Sequence, residues 1–143
     1  MVQEIIMDQS ILSKKCEKVK KGEDISKIIK DLIDTGNKYN EIGIGCIGIS
    51  ANQIGYNKRI IAISKKDGKW GIFINPSIVP IKRDKFVSEE GCLSIEGTRE
   101  VKRYNYIELV YYDKNFKIKR LMMKNNTAVI AQHLVDHLNG ILV

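Results

Sequence analysis

The sequence contains no apolar run that approaches the length of a membrane span, which excludes a transmembrane helix. Its opening stretch, MVQEIIMDQS, carries acids where a secretory signal carries basic residues, so no such leader is expected. Cysteine is scarce and odd in number. Cys16, Cys46 and Cys92 are widely spaced, and this excludes a disulfide framework. Cys16 and Cys46 read as small buried hydrophobes. Proline occurs only twice, and neither a repeat nor a low-complexity linker interrupts the chain, so one domain over residues 1–143 is expected. These absences point to the cytoplasm, or to whichever compartment translates the chain.

What remains is an ordinary globular composition. Hydrophobic residues make up 43% and charged residues 29% of 143 positions, enough to bury a core without metal or disulfide staples. Twenty-four basic against 17 acidic residues leave a net charge of +7. Such an excess draws anionic partners, ribosomal RNA included, and proximity to the ribosome is compatible with it. The lysines are scattered rather than clustered, however, so the plain reading is a solvated basic surface with no specific nucleic acid and no membrane bound.

Helical periodicity from Asp24 to about Tyr39, in Ile25, Ile28, Ile29, Leu32 and Ile33, predicts an amphipathic N-terminal helix. KRIIAIS (58–64) and GIFIN (71–75), joined by KKDGK, predict a hairpin, and 105–113 with 116–123 predict a second. The last helix is expected to start at NNT (125–127), whose side chains supply caps, and to close at Gly140. The chain stops three residues further on, which leaves no room for another C-terminal helix. The expected fold is α+β: antiparallel strands and hairpins packed around a C-terminal helix.

The two histidines of the chain, His133 and His137, lie four apart on that final helix, on one face and one turn from each other. Alone, the pair fits either a metal site or two ordinary polar side chains. It does not stand alone. The segments CIGISANQIG (46–55), EGCLS (90–94) and QHLVDH (132–137) resemble, in order and spacing, the three motifs of the peptide deformylases: G-x-G-φ-[A/S]-A-x-Q, E-G-C-φ-S and Q-H-E-x-D-H. Cys46 stands where the first glycine often is, while Gly48 and Gln53 are kept.

The resemblance implies removal of the formyl group from the initiator methionine of nascent polypeptides. Cys92, His133 and His137 would hold one divalent metal per chain, with ferrous iron expected and zinc or nickel as substitutes. Three protein ligands and one open position suit a water made nucleophilic near neutral pH. The Gln53 amide and the backbone N–H of Leu93 would stabilise the developing oxyanion. Gly48 would let the peptide run close to the backbone. Ile47, Val129 and Ile130 would form an apolar pocket for methionine. Glu90, Gly91, Arg99 and Asp136 match family positions that border the substrate, orient ligands or brace the loop.

One departure is severe. Leu134 occupies the position of the family's catalytic glutamate and has no titratable group. Three explanations stay open on the sequence: a natural loss that leaves a metal- and peptide-binding pseudoenzyme, an engineered substitution, or a natural variant with weak hydrolysis. A basic ribosome- or RNA-associated protein is the reading from a different class.

Overall fold

The structure, a computed structural model, describes residues 1–43, 47–65 and 67–143. Cys46, expected as a buried hydrophobe, and Lys66 of the first hairpin turn lie outside the described residues. A short helix α1 (Gln9–Leu12) precedes α2 (Ser26–Glu41). Strand β1 (Gly48–Ser50) runs into a 3-10 turn (Ala51–Ile54), followed by β2 (Ile60–Ser64) and β3 (Trp70–Pro80). Then come β4 (Lys85–Gly91), β5 (Thr98–Tyr104), β6 (Tyr106–Tyr112), β7 (Ile118–Lys124) and helix α3 (Asn125–Leu138). The architecture is α+β, as the sequence predicts.

Among the described residues two antiparallel sheets form, a five-stranded one in the order β1-β2-β3-β6-β7 and a two-stranded β4-β5. Both expected hairpins are present, as β2–β3 and β6–β7. Period-2 alternation splits β2 between the two faces of the large sheet. Ile61 and Ile63 join Phe73, Ile107, Leu109 and Met123 beneath α3. Ile60 and Ala62 join Ile74 beneath α2, which contributes Ile28 and Leu32. The sheet is thus the middle layer, with one helix on each face.

α2 begins at Ser26, two residues later than the periodicity alone places it. The Asp24 carboxylate accepts from the Ser26 N–H (3.0 Å) and turns the chain before the helix starts. The expected caps from residues 125–127 do not form. The N-cap is Lys124, with no side-chain cap bond, and Asn125 takes a left-handed backbone (φ 56°) while its N–H donates to the Asn105 carbonyl (3.0 Å). A tight junction with β7 therefore sets the start of α3. Its end is a Schellman closure: Gly140, at φ 76°, donates to the His137 carbonyl (3.0 Å), and Ile141 donates to that of Asp136 (2.9 Å).

α3 is then clamped from three sides. The buried Arg59 guanidinium donates to the Leu138 carbonyl (3.0 Å), a cation at the negative end of the helix. Asn52 donates to the His137 carbonyl (2.8 Å). Gln132 brackets the backbone of Tyr104, donating to its carbonyl (2.7 Å) and accepting from its N–H (2.9 Å). These bonds fix the rotation of α3, and with it the side chains that follow.

Candidate metal centre and its cleft

α3 carries two stripes at helical spacing. Ala128, Ala131, Val135 and Leu138 face the sheet, while Asn126, Val129, Ile130, His133 and His137 face a cavity of about 550 Å³. Leu134 lies on the border and belongs to both. The opposite wall comes from Ile47 and Gly48 at the start of β1, from Gln53 in the 3-10 turn, and from residues 88–93, where β4 ends.

Cys92 sits just past β4, and its position brings the thiol over α3. One ligating atom from each of Cys92, His133 and His137 lies within 4.8 Å of the others. The Cys92 Sγ is 3.2 Å from the His137 Nε2, and the two imidazole rings meet edge to face with centroids 4.6 Å apart. The Gln53 amide donates to Cys92 Sγ (3.3 Å) and to Ser94 Oγ (3.2 Å). Its Oε1 accepts from the N–H and hydroxyl of Ser50, both at 3.0 Å, in a capping box that locks the side chain. Gln53 is thereby aimed at the thiol by the local geometry of its own turn.

Behind His133 stands a buried ionic chain. His133 Nδ1 lies 2.6 Å from a Glu90 oxygen, and Glu90 receives a two-pronged pair from Arg103 at 2.7 and 2.8 Å. A further nitrogen of Arg103 reaches Asp136. Burial alone would raise the pKa of Glu90, but the bonds from Arg103 and His133 bring it below its ordinary value. The ionised carboxylate fixes His133 with its Nδ1 occupied and its Nε2 toward the cleft.

Burial pushes both imidazoles down, His137 to about 3 with the neighbouring His133 as the next cause, so both rings are neutral near pH 7. Burial raises the Cys92 thiol. Two neutral imidazole lone pairs and a thiol whose proton a cation would displace are a donor set that fits a borderline divalent metal. His137 Nδ1 is buried with no partner among the described residues.

Ile47, Gly48, Gly91, Leu93, Val129 and Ile130 all line the cavity. Glu90 also borders it, but its carboxylate is turned to Arg103 and His133. Arg99 is not on the wall: its guanidinium donates to the carbonyls of Glu96 (3.1 Å) and Gly97 (3.5 Å), and no carboxylate pairs with it among the described residues. Leu134 is 3% exposed. A β-carbon on Gly48 would lie 2.7 Å from its Cδ1, so the leucine rests directly on the backbone of β1.

Sequence reasoning missed Arg103, the Ser94 hydroxyl beside Gln53, and the cleft-facing Ser88 and Asn126. Helical spacing back from His133, Ile130 and Val129 points to Asn126. Arg103 has only its strand alternation with Val101 and Arg99 as a signal.

The comparisons with known proteins agree along the whole chain. The sequence model described as polypeptide deformylase matches residues 2–143. The peptide deformylase of Clostridium beijerinckii is 38% identical over 146 aligned residues, covering 100% of each chain. Among solved structures, PDF from the Vibrio parahaemolyticus bacteriophage VP16T, in complex with actinonin, is similar with a TM-score of 0.87 at 31% identity, over 99% of this chain and 100% of that one. Peptide deformylase from Thermotoga maritima gives 0.86 at 29%, over 99% and 95%. Three separated sequence segments that meet at one cleft, within a fold shared from end to end, leave a single assignment: the chain belongs to the peptide deformylase family, a family of metal-dependent hydrolases.

Proposed function

We propose that this chain binds a divalent metal through Cys92, His133 and His137 and receives N-formyl-methionyl peptides, the nascent-chain ends of its family, in the adjoining cleft. The observation that carries the reading is the approach of one sulfur and two ring nitrogens to within 4.8 Å, with the Gln53 amide 3.3 Å from that sulfur. Ferrous iron is the expected ion, and zinc or nickel would substitute. Such a cation supplies Lewis acidity and a nucleophilic water near neutral pH. The chain's own groups do the rest. Gln53, with the Leu93 N–H, faces the formyl oxygen as charge develops there, each donor contributing about 3–4 kcal/mol. Ile47, Val129 and Ile130 hold the methionine side chain, and Gly48 lets the peptide backbone approach.

Proton transfer is where this chain falls short. At position 134 the family has a glutamate that takes the proton from water and returns it to the leaving nitrogen. Leucine does neither, and Asp136 is no substitute because Arg103 holds it elsewhere. The loss of a positioned acid–base is worth about 10²–10⁴ in rate. The burial of Leu134 against Gly48 favours a chain that captures metal and peptide with little turnover.

The test is metal analysis beside a deformylation assay. The purified chain should hold one metal, and Leu134→Glu should raise hydrolysis of an N-formyl-methionyl peptide by about 10²-fold or more. An intact, metal-loaded variant with no gain would refute the reading.

A further inference from the structure

The wall that α3 offers to the cleft is graded along its length. The imidazoles stand at the C-terminal end, Leu134, Ile130 and Val129 give an apolar middle, and Asn126 ends it at the mouth. Asn126 lies seven positions before His133, about 10.5 Å along the axis. Asn126 is exposed, and its carboxamide has no hydrogen-bond partner among the described residues. Opposite, Ser88 is on the same face of β4 as Glu90, and its side chain is bonded to that carboxylate. On the α3 wall the apolar middle therefore ends in a polar group, the Asn126 carboxamide.

An unbranched side chain such as that of methionine advances about 7.5 Å over the six bonds from the formyl carbon to its last atom. If the formyl group sits at the histidine end, the tip stops about 3 Å short of the Asn126 level, one hydrogen-bond length. We propose that Asn126 reads the tip of the first residue's side chain, so that the cleft accepts an unbranched side chain with an oxygen near its end almost as well as an apolar chain of equal length. Methionine sulfoxide belongs to that chemical class. In a wholly apolar pocket its oxygen would be stranded, at a cost of about tenfold or more in affinity. Here the Asn126 amide donates to it. The inference rests on the cleft being the seat of N-formyl peptides.

Zinc-loaded chain is titrated by calorimetry with N-formyl-methionine sulfoxide-Ala-Ser and with N-formyl-norleucine-Ala-Ser, the apolar control of equal length. The sulfoxide peptide should bind within about tenfold of the norleucine peptide, and Asn126→Leu should widen that ratio by about tenfold. Retained norleucine binding in the variant shows that it is folded. A sulfoxide deficit beyond tenfold in the parent chain, or an unchanged ratio in the variant, overturns the inference alone. If neither peptide binds, the underlying reading of the cleft fails and the inference falls with it.

Discussion

At the scale of single residues, the contact between Leu134 and Gly48 ties the departure from the family to the shape of the cleft. Gly48→Ala would put a methyl 2.7 Å from Leu134 Cδ1 and 3.0 Å from Ile130 Cγ2. Overpacking of this kind costs about 1–3 kcal/mol. Most of that cost should vanish in a Leu134→Ala background, because the two changes share one contact; urea unfolding of the four proteins measures the coupling, and strict additivity would contradict it. Arg103, 4% exposed, is the other decisive residue. Arg103→Ala strands Glu90 without its cation and should cost about 3–5 kcal/mol. It should also weaken metal binding by about 10–100-fold, read by competition with a chromophoric chelator, since His133 loses its anchor. Arg103→Lys should recover little, having one donor point where two prongs are needed. The cluster of Cys92, His133 and His137 was legible because motifs name its members. Arg103 was not, because TREVKRY is charged at four of its seven positions and nothing in it marks which charge turns inward.

Among the elements, β2–β3 and β6–β7 were legible from apolar alternation around short turns. β4–β5 was not: its register sets Glu89 opposite Glu100 and Val87 opposite Lys102, pairs that look like loop or surface in a one-dimensional reading. Yet this hairpin carries Glu90 and Arg103 and delivers Cys92. The start of α3 was placed correctly at 125–127, but its capping was not: asparagines favour caps in general, whereas here one adopts a left-handed backbone at a strand–helix junction. The end of α3 was foreseen, and its glycine is more constrained than a simple stop signal implies. Besides its φ of 76°, a β-carbon on Gly140 would lie 2.3 Å from the Ser13 carbonyl oxygen. Gly140→Ala should therefore lose more than the roughly 1 kcal/mol of an ordinary left-handed glycine. A loss no larger than that in chemical denaturation would show that residues 13–14 move aside freely.

For the molecule as a whole, two linked equilibria should be visible. The hydrophobic layers form without the metal centre, so chelation should leave the far-ultraviolet spectrum intact while lowering the unfolding midpoint. Metal at a hundred times its dissociation constant adds about 2.7 kcal/mol, and a midpoint indifferent to zinc would speak against a native site. The second equilibrium is acid sensitivity. Burial of Asp31 on α2 works against its charge, but bonds from the N-terminal ammonium, Tyr56, Lys27 and Gln3 hold its carboxyl below the ordinary 3.8. Folded protein then binds fewer protons than unfolded, so this group stabilises above about pH 3.8 and its contribution drains away as pH falls through the folded value. Asp31→Asn should lose less stability between about pH 6 and about pH 3 than the parent chain in urea titrations at both; equal losses would remove Asp31 from the account.

Because position 134 belongs at once to the cleft and to the apolar layer under α3, an acid there and a well-filled interior are rivals for the same space. A buried leucine brings about 1.5–3 kcal/mol that an ionised side chain does not. On the reading proposed above, gaining an acid at this position would be uphill for the fold, a one-way valve between a sturdy binder and a fragile catalyst.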